Sequence, residues 1–188
     1  MRQKQLRPAG KDWREMSIRD FRGSPSERIG RGWMLIAAGA AEGGDWNTMT
    51  ASWGGLGVLW GLDVAFMFIR PSRRTFEFVN GAGLFSLSFF DESYRGALNF
   101  IGSNSGRDYD KAAETGLTPL VFDGGVAGGK AAGAVGFQEA ADIVICRKLY
   151  THDFDPQRFL DPPLIEKAYG GKDYHRMYIG EILGVLTR

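Results

Sequence analysis

Val64-Ala65-Phe66-Met67-Phe68-Ile69-Arg70-Pro71-Ser72-Arg73-Arg74-Thr75 passes from an unbroken apolar run to charge, proline and hydroxyls. The run has the length of a buried strand, and Arg70-Pro71 ends it because proline has no N–H to give to a ladder. Phe76 and Val79 follow at helical spacing, and Gly81 and Gly83 stop the pattern, so a short helix is predicted over Arg73–Asn80. Ser72 then stands at the N-cap position. Three guanidinium groups, two hydroxyls and the free N–H groups of a first helical turn converge here, which is the chemistry of a phosphate site. A solvated helix start, with Ser72 as a simple cap and ordinary surface arginines, accounts for the same residues without a ligand.

Upstream, Trp33–Ala38 reads as a buried strand, Glu42-Gly43-Gly44-Asp45 as a hairpin loop, and Asn47–Trp53 as the start of the returning strand. The segment Asn47-Thr48-Met49-Thr50-Ala51-Ser52-Trp53 could lay small side chains and hydroxyls against a flat heteroaromatic ring, with Trp53 covering a face. An exposed strand explains Thr and Ser equally well. Downstream, Phe85–Phe90 alternates with period two, the strand signature. Asp91 can cap a helix whose Tyr94, Ala97 and Leu98 share a face before Gly102 closes it. Ser103–Asp108 is a polar loop, Tyr109–Thr115 a helical turn or two, and Leu117–Gly129 an irregular surface segment. That loop could bring Ser105 and Lys111 to the same anion, or be only a charged loop with a helix cap at Asp108. Ile143–Tyr150 and Met177–Leu186 are the last strands. Strands outnumber helices without a regular βα alternation, so the expected fold is mainly β, a closed β-barrel with peripheral helices. Residues 1–31 read as an N-terminal arm, with a short helix around Ser26–Ile29, and 32–188 as one domain.

Composition sets the outer limits. Of 188 residues, 44% are hydrophobic and 24% charged, which is the balance of a folded chain. Lys+Arg 23 against Asp+Glu 22 leaves a net charge of +1 and no general field for nucleic acid. One cysteine and two histidines give no disulfide framework and no structural zinc set. No apolar run is long enough for a membrane helix and no targeting segment is legible, so a cytoplasmic location is expected. Cys146 lies in the apolar run Ile143–Cys146 and reads as a small core residue. His175 and Tyr178, at the start of the final strand, are candidates for a substrate side, although a lone histidine there is more often structural. No nucleophile elbow, P-loop or metal-ligand pairing is present, so hydrolase and kinase chemistry finds no support.

Taken together and in order, the segments from Asn47 to Trp53, Arg70 to Thr75, Phe85 to Phe89, Ser105 to Lys111, and Asp173 to Ile182 resemble the flavin reductase-like FMN-binding family, nearest its flavoredoxin branch. The resemblance runs from Trp33 to Leu186. It implies a split β-barrel and a homodimer with FMN near the subunit interface. By position, Thr50, Ala51, Ser52 and Trp53 would border the ring and ribityl chain, with Asn47 close by. Arg70, Ser72, Arg73 and Thr75 would hold the phosphate, and Ser105 and Lys111 would approach it. Arg74 falls at a variable position of the motif. Ser88-Phe89-Phe90 departs from the more polar, Asn-containing version of many relatives. The implied activity is hydride transfer from NADH or NADPH to flavin N5 and onward to an acceptor. With no Rossmann glycine fingerprint, nicotinamide would be used without a dedicated dinucleotide domain. An FMN electron carrier reduced by a protein donor would need the same site, and a barrel that has lost its flavin would keep only the fold.

Overall fold

Every residue from Met34 to Ala38 is buried, so this strand is covered on both faces. Met34, Ile36 and Ala38 point into one apolar cluster, and Leu35 and Ala37 into another. The computed structural model describes residues 7–8, 13–39, 45–122 and 125–188. Its strands are β1 (Arg7–Pro8), β2 (Arg14–Met16), β3 (Met34–Gly39), β4 (Trp46–Ala51), β5 (Gly54–Leu59) and β6 (Leu62–Ile69). They continue as β7 (Leu84–Phe89), β8 (Pro119–Val121), β9 (Val135–Phe137), β10 (Asp142–Asp153) and β11 (Arg176–Thr187). The α-helices are α1 (Arg74–Gly81), α2 (Arg95–Ser103), α3 (Lys111–Thr115) and α4 (Pro162–Tyr169).

The principal sheet runs β4-β3-β7-β10-β11-β6-β5, with β2 paired to β11 beside the end of β6. Within this path the pairings are antiparallel. The first and last strands of this order, β4 and β5, are consecutive in the chain and joined through Ser52-Trp53, yet share no ladder. The barrel is therefore split rather than closed, which corrects the closed barrel expected from strand spacing alone. Its interior is lined by Ile36, Met67, Phe85, Leu87, Phe89, Val144 and Tyr178. Packing there is tight: a Cβ at Gly180 would lie 2.5 Å from the Phe85 ring. A second apolar layer sets α2 and α3 against the outer face of β3 and β4, through Leu98, Ile101 and Ala112 against Leu35, Ala37 and Trp46.

The hairpin loop expected at Glu42–Asp45 lies, apart from Asp45, outside the described residues. In the N-terminal segment, Arg14–Met16 pairs with β11, a π-helical stretch forms at Glu27–Gly32, and Ile29 is buried in the barrel cluster. Leu117–Gly129 is not a surface segment: Pro119–Val121 is a strand, and Leu117 and Phe122 are buried. Asp91 precedes a 3-10 turn and makes no capping bond. The cap of α3 is Asp110, whose carboxylate accepts from Ala113 N at 3.0 Å, and not Asp108. Cys146 is buried, and burial raises its thiol pKa. Among the described residues, no helix is long and apolar enough to cross a membrane.

Candidate functional site

Two cavities of about 160 Å³ each adjoin at the edge of the barrel and share Met49 and Arg73. The first is bounded by Thr50, Ala51, Ser52 and Trp53 at the corner between β4 and β5, and by Phe68, Arg70 and His175. The second lies between the start of α1, with Ser72, Arg73, Arg74 and Thr75, and the loop Ser103–Gly106, with Lys111 at its wall. One is a slot with aromatic sides; the other is lined by cations and hydroxyls.

The slot owes its wall to ring packing. Trp53, 47% exposed, sits with its ring 4.9 Å from that of His175. His175 is itself buried, and its Nδ1 lies 3.0 Å from the Tyr169 hydroxyl at the end of α4. Burial, reinforced by the Arg70 guanidinium, lowers its pKa to about 4, so the imidazole is neutral at pH 7. Thr50 donates its hydroxyl to the Leu98 carbonyl at 2.6 Å, which leaves its oxygen as an acceptor.

The second cavity is organised around a buried cation. Lys111 is 3% exposed, and its Nζ donates to the carbonyls of Thr48 and Ile101, each at 2.9 Å. It forms no ion pair among the described residues. Desolvation first, and then the charge of Arg73, lowers its pKa to about 8. Arg73 donates to Gly102 O at 3.0 Å and Asn47 Nδ2 to the buried Thr75 hydroxyl at 2.8 Å. Ser105 Oγ accepts from Arg107 N, and Arg107 pairs with Glu77 across to α1. A buried ammonium beside guanidinium groups, in no ion pair among the described residues, fits an anionic group such as phosphate.

Most of the residues named from sequence line these two cavities, and Asn47 supports them from behind through Thr75. Three details differ. Ser72 does not cap α1, whose N-cap is Arg73. Its hydroxyl donates instead to Asp173 Oδ2 at 2.6 Å. Arg70 lines the slot and not the second cavity, donating to Ala168 O at 2.7 Å with its guanidinium over the Tyr169 ring. Tyr178 lines neither cavity: it is buried inside the barrel, and its hydroxyl donates to Asn80 Oδ1 at 2.9 Å. Ser88 alternates with the interior-facing Leu87 and Phe89 and so points to the opposite face of β7. Arg74, set aside as variable, does line the anion cavity, as does Asn104. Helix α4, which forms the far side of the His175 wall, is absent from the sequence reading, although Pro162-Pro163 at its start and left-handed Gly170 at its end are boundary signals.

A wider cleft of about 1060 Å³ opens elsewhere, by Arg14, Arg28 and Asp142. Its lining carries charges of both signs, and Arg28 is paired with Asp142 at 2.6 Å, so it offers no concentrated field. No cluster of potential metal ligands occurs among the described residues.

The split-barrel fold has counterparts among solved structures. An FMN-binding domain of a flavin reductases-like enzyme from Shewanella baltica OS155 superposes with a TM-score of 0.62 at 15% identity, over 94% of this chain and 77% of that one. A flavoredoxin from Methanosarcina acetivorans gives 0.62 at 19% identity, over 84% and 68%. The flavoredoxin of Desulfovibrio vulgaris (Miyazaki F) gives 0.60 at 20%, over 83% and 69%. The chain thus has the fold of FMN-binding flavin reductase-like proteins and flavoredoxins. No family model matches the sequence, and no curated protein matches it.

Proposed function

We propose that this protein is an FMN-binding flavin oxidoreductase that takes hydride from NADH or NADPH and passes electrons to an acceptor. The observation that carries the reading is the buried, unpaired Lys111 ammonium, set in an anion cavity that adjoins an aromatic slot. Arg73, Arg74, Thr75, Ser105 and Lys111 would hold the phosphate of FMN, and Thr50, Ala51, Ser52 and Trp53 would border its ring. The flavin supplies the redox chemistry itself. The chain's part is to bind it, to keep water from one face with Trp53, and to present a neutral His175 beside that ring. A reducing cytoplasm suits the free thiol of Cys146.

A homodimer is part of the same proposal. Strand β5 is an uncharged edge, Gly54–Leu59, and Val58 within it and Trp60 just after it are exposed. Light scattering tests this, and a monomer with full flavin affinity overturns it.

The likeness to two flavoredoxins favours a second reading, an electron carrier reduced by a protein donor. Anaerobic titration of the FMN-reconstituted protein with NADH and then NADPH, against free FMN, separates the two. Bleaching well above the control rate is expected for the reductase. A spectrum that stays oxidised with FMN bound identifies the carrier, and failure to retain FMN rejects both.

A further inference from the structure

Ser72 lines the anion cavity, yet both of its donors are spent on another segment. Its N–H lies 3.1 Å from Asp173 Oδ1, and its hydroxyl donates to Asp173 Oδ2 at 2.6 Å. The clasp is held in a costly conformation: Asp173 has φ 57°, in the left-handed region, shortly after left-handed Gly170 and Gly171. Two residues further on, His175 forms the slot wall against Trp53. A phosphate is held by N–H and O–H donors, and at this loop two of them already serve a carboxylate. That carboxylate also places negative charge beside the residue preceding Arg73, where a dianion would settle.

We propose that Asp173 is a specificity-determining residue, a resident anion that competes with a ligand's phosphate for Ser72 and so limits the preference for phosphorylated over unphosphorylated flavin. The proposal rests on the flavin reading above. When phosphate enters, Ser72 transfers its N–H and O–H from the carboxylate to the phosphate. The segment 170–175 is then untied from the phosphate loop, and His175 moves with it. Occupancy of one cavity is in this way felt at the wall of the other.

The test is equilibrium titration of the full-length, flavin-free protein with FMN and with riboflavin, which lacks the phosphate. Asp173→Asn keeps a side chain tolerant of positive φ and an acceptor for the Ser72 N–H, but removes the charge. FMN affinity should rise about tenfold, the scale of one charge-assisted hydrogen bond, while riboflavin affinity changes by less than about twofold. Asp173→Gly relieves the backbone and abolishes the clasp, and should raise the FMN-to-riboflavin ratio likewise. Equal weakening of both flavins would show that Asp173 only braces the slot, and weaker FMN alone would show that it organises the phosphate donors. Either result, or an unchanged ratio in both variants, overturns the proposal by itself. Wild-type protein that takes up neither flavin overturns the flavin reading, and this inference with it.

Discussion

Asn47 Nδ2 donates to Thr75 Oγ1 at 2.8 Å, a buried bond that ties strand β4 to the first turn of α1 and so fixes the two cavities relative to each other. Thr75→Val keeps the shape and removes the acceptor. The variant should lose about 1 kcal/mol of stability, the scale of one buried hydrogen bond. Urea unfolding checks this: the midpoint falls and the slope is retained.

On the proposed flavin reading, Lys111 should make FMN binding depend on pH in a way that riboflavin binding does not. An anion favours the protonated ammonium, whose pKa in the free protein is about 8. FMN affinity should therefore fall as pH rises above about 8, by up to ~10-fold per pH unit, with riboflavin affinity flat over the same range. Stability of the flavin-free protein moves the other way. Between pH 8 and the ordinary lysine value of 10.5 the unfolded chain binds the extra proton, so this group's contribution grows with pH. Lys111→Met abolishes the pH dependence of FMN affinity; a persistent slope in that variant assigns it to another group.

Several strands and the loop after β6 were legible because their signals are local: an apolar run, a proline, a hydroxyl next to arginines. What the sequence hid was distant in the chain. Ser72 reads as a cap because nothing near it announces Asp173, 101 residues away. Tyr178 reads as a substrate-side candidate because alternation in β11 cannot say which face is inside when both faces are partly covered. Strand β5 escaped notice because Gly54, Gly55 and Gly57 dilute the period-two pattern.

His175 links acid sensitivity to the slot. Its folded pKa of about 4 lies below the ordinary 6.5, so the stability it contributes is complete above pH 6.5 and is lost as pH falls toward 4. His175→Gln retains a hydrogen-bonding side chain toward Tyr169 without that titration. Urea unfolding at pH 7 and pH 4.5 should show a smaller loss for the variant than for the wild type, and equal losses would clear His175 of the effect.

Gly180 is a packing necessity. A methyl group there would meet the Phe85 ring at 2.5 Å in the barrel interior. Gly180→Ala should destabilise by about 1–3 kcal/mol, and adding Phe85→Leu should recover part of the loss, giving a non-additive cycle by thermal or urea unfolding. Additive losses would place the strain elsewhere.

The corner at Ser52-Trp53 carries a mechanical consequence. Elsewhere along the sheet path, neighbouring strands can separate only by tearing a row of hydrogen bonds, but β4 and β5 share no ladder and are joined through Ser52-Trp53. A flat guest pushing in at that seam works against the torsions of two residues rather than against a ladder. The seam beside the slot is thus the place where the barrel can give without breaking a ladder.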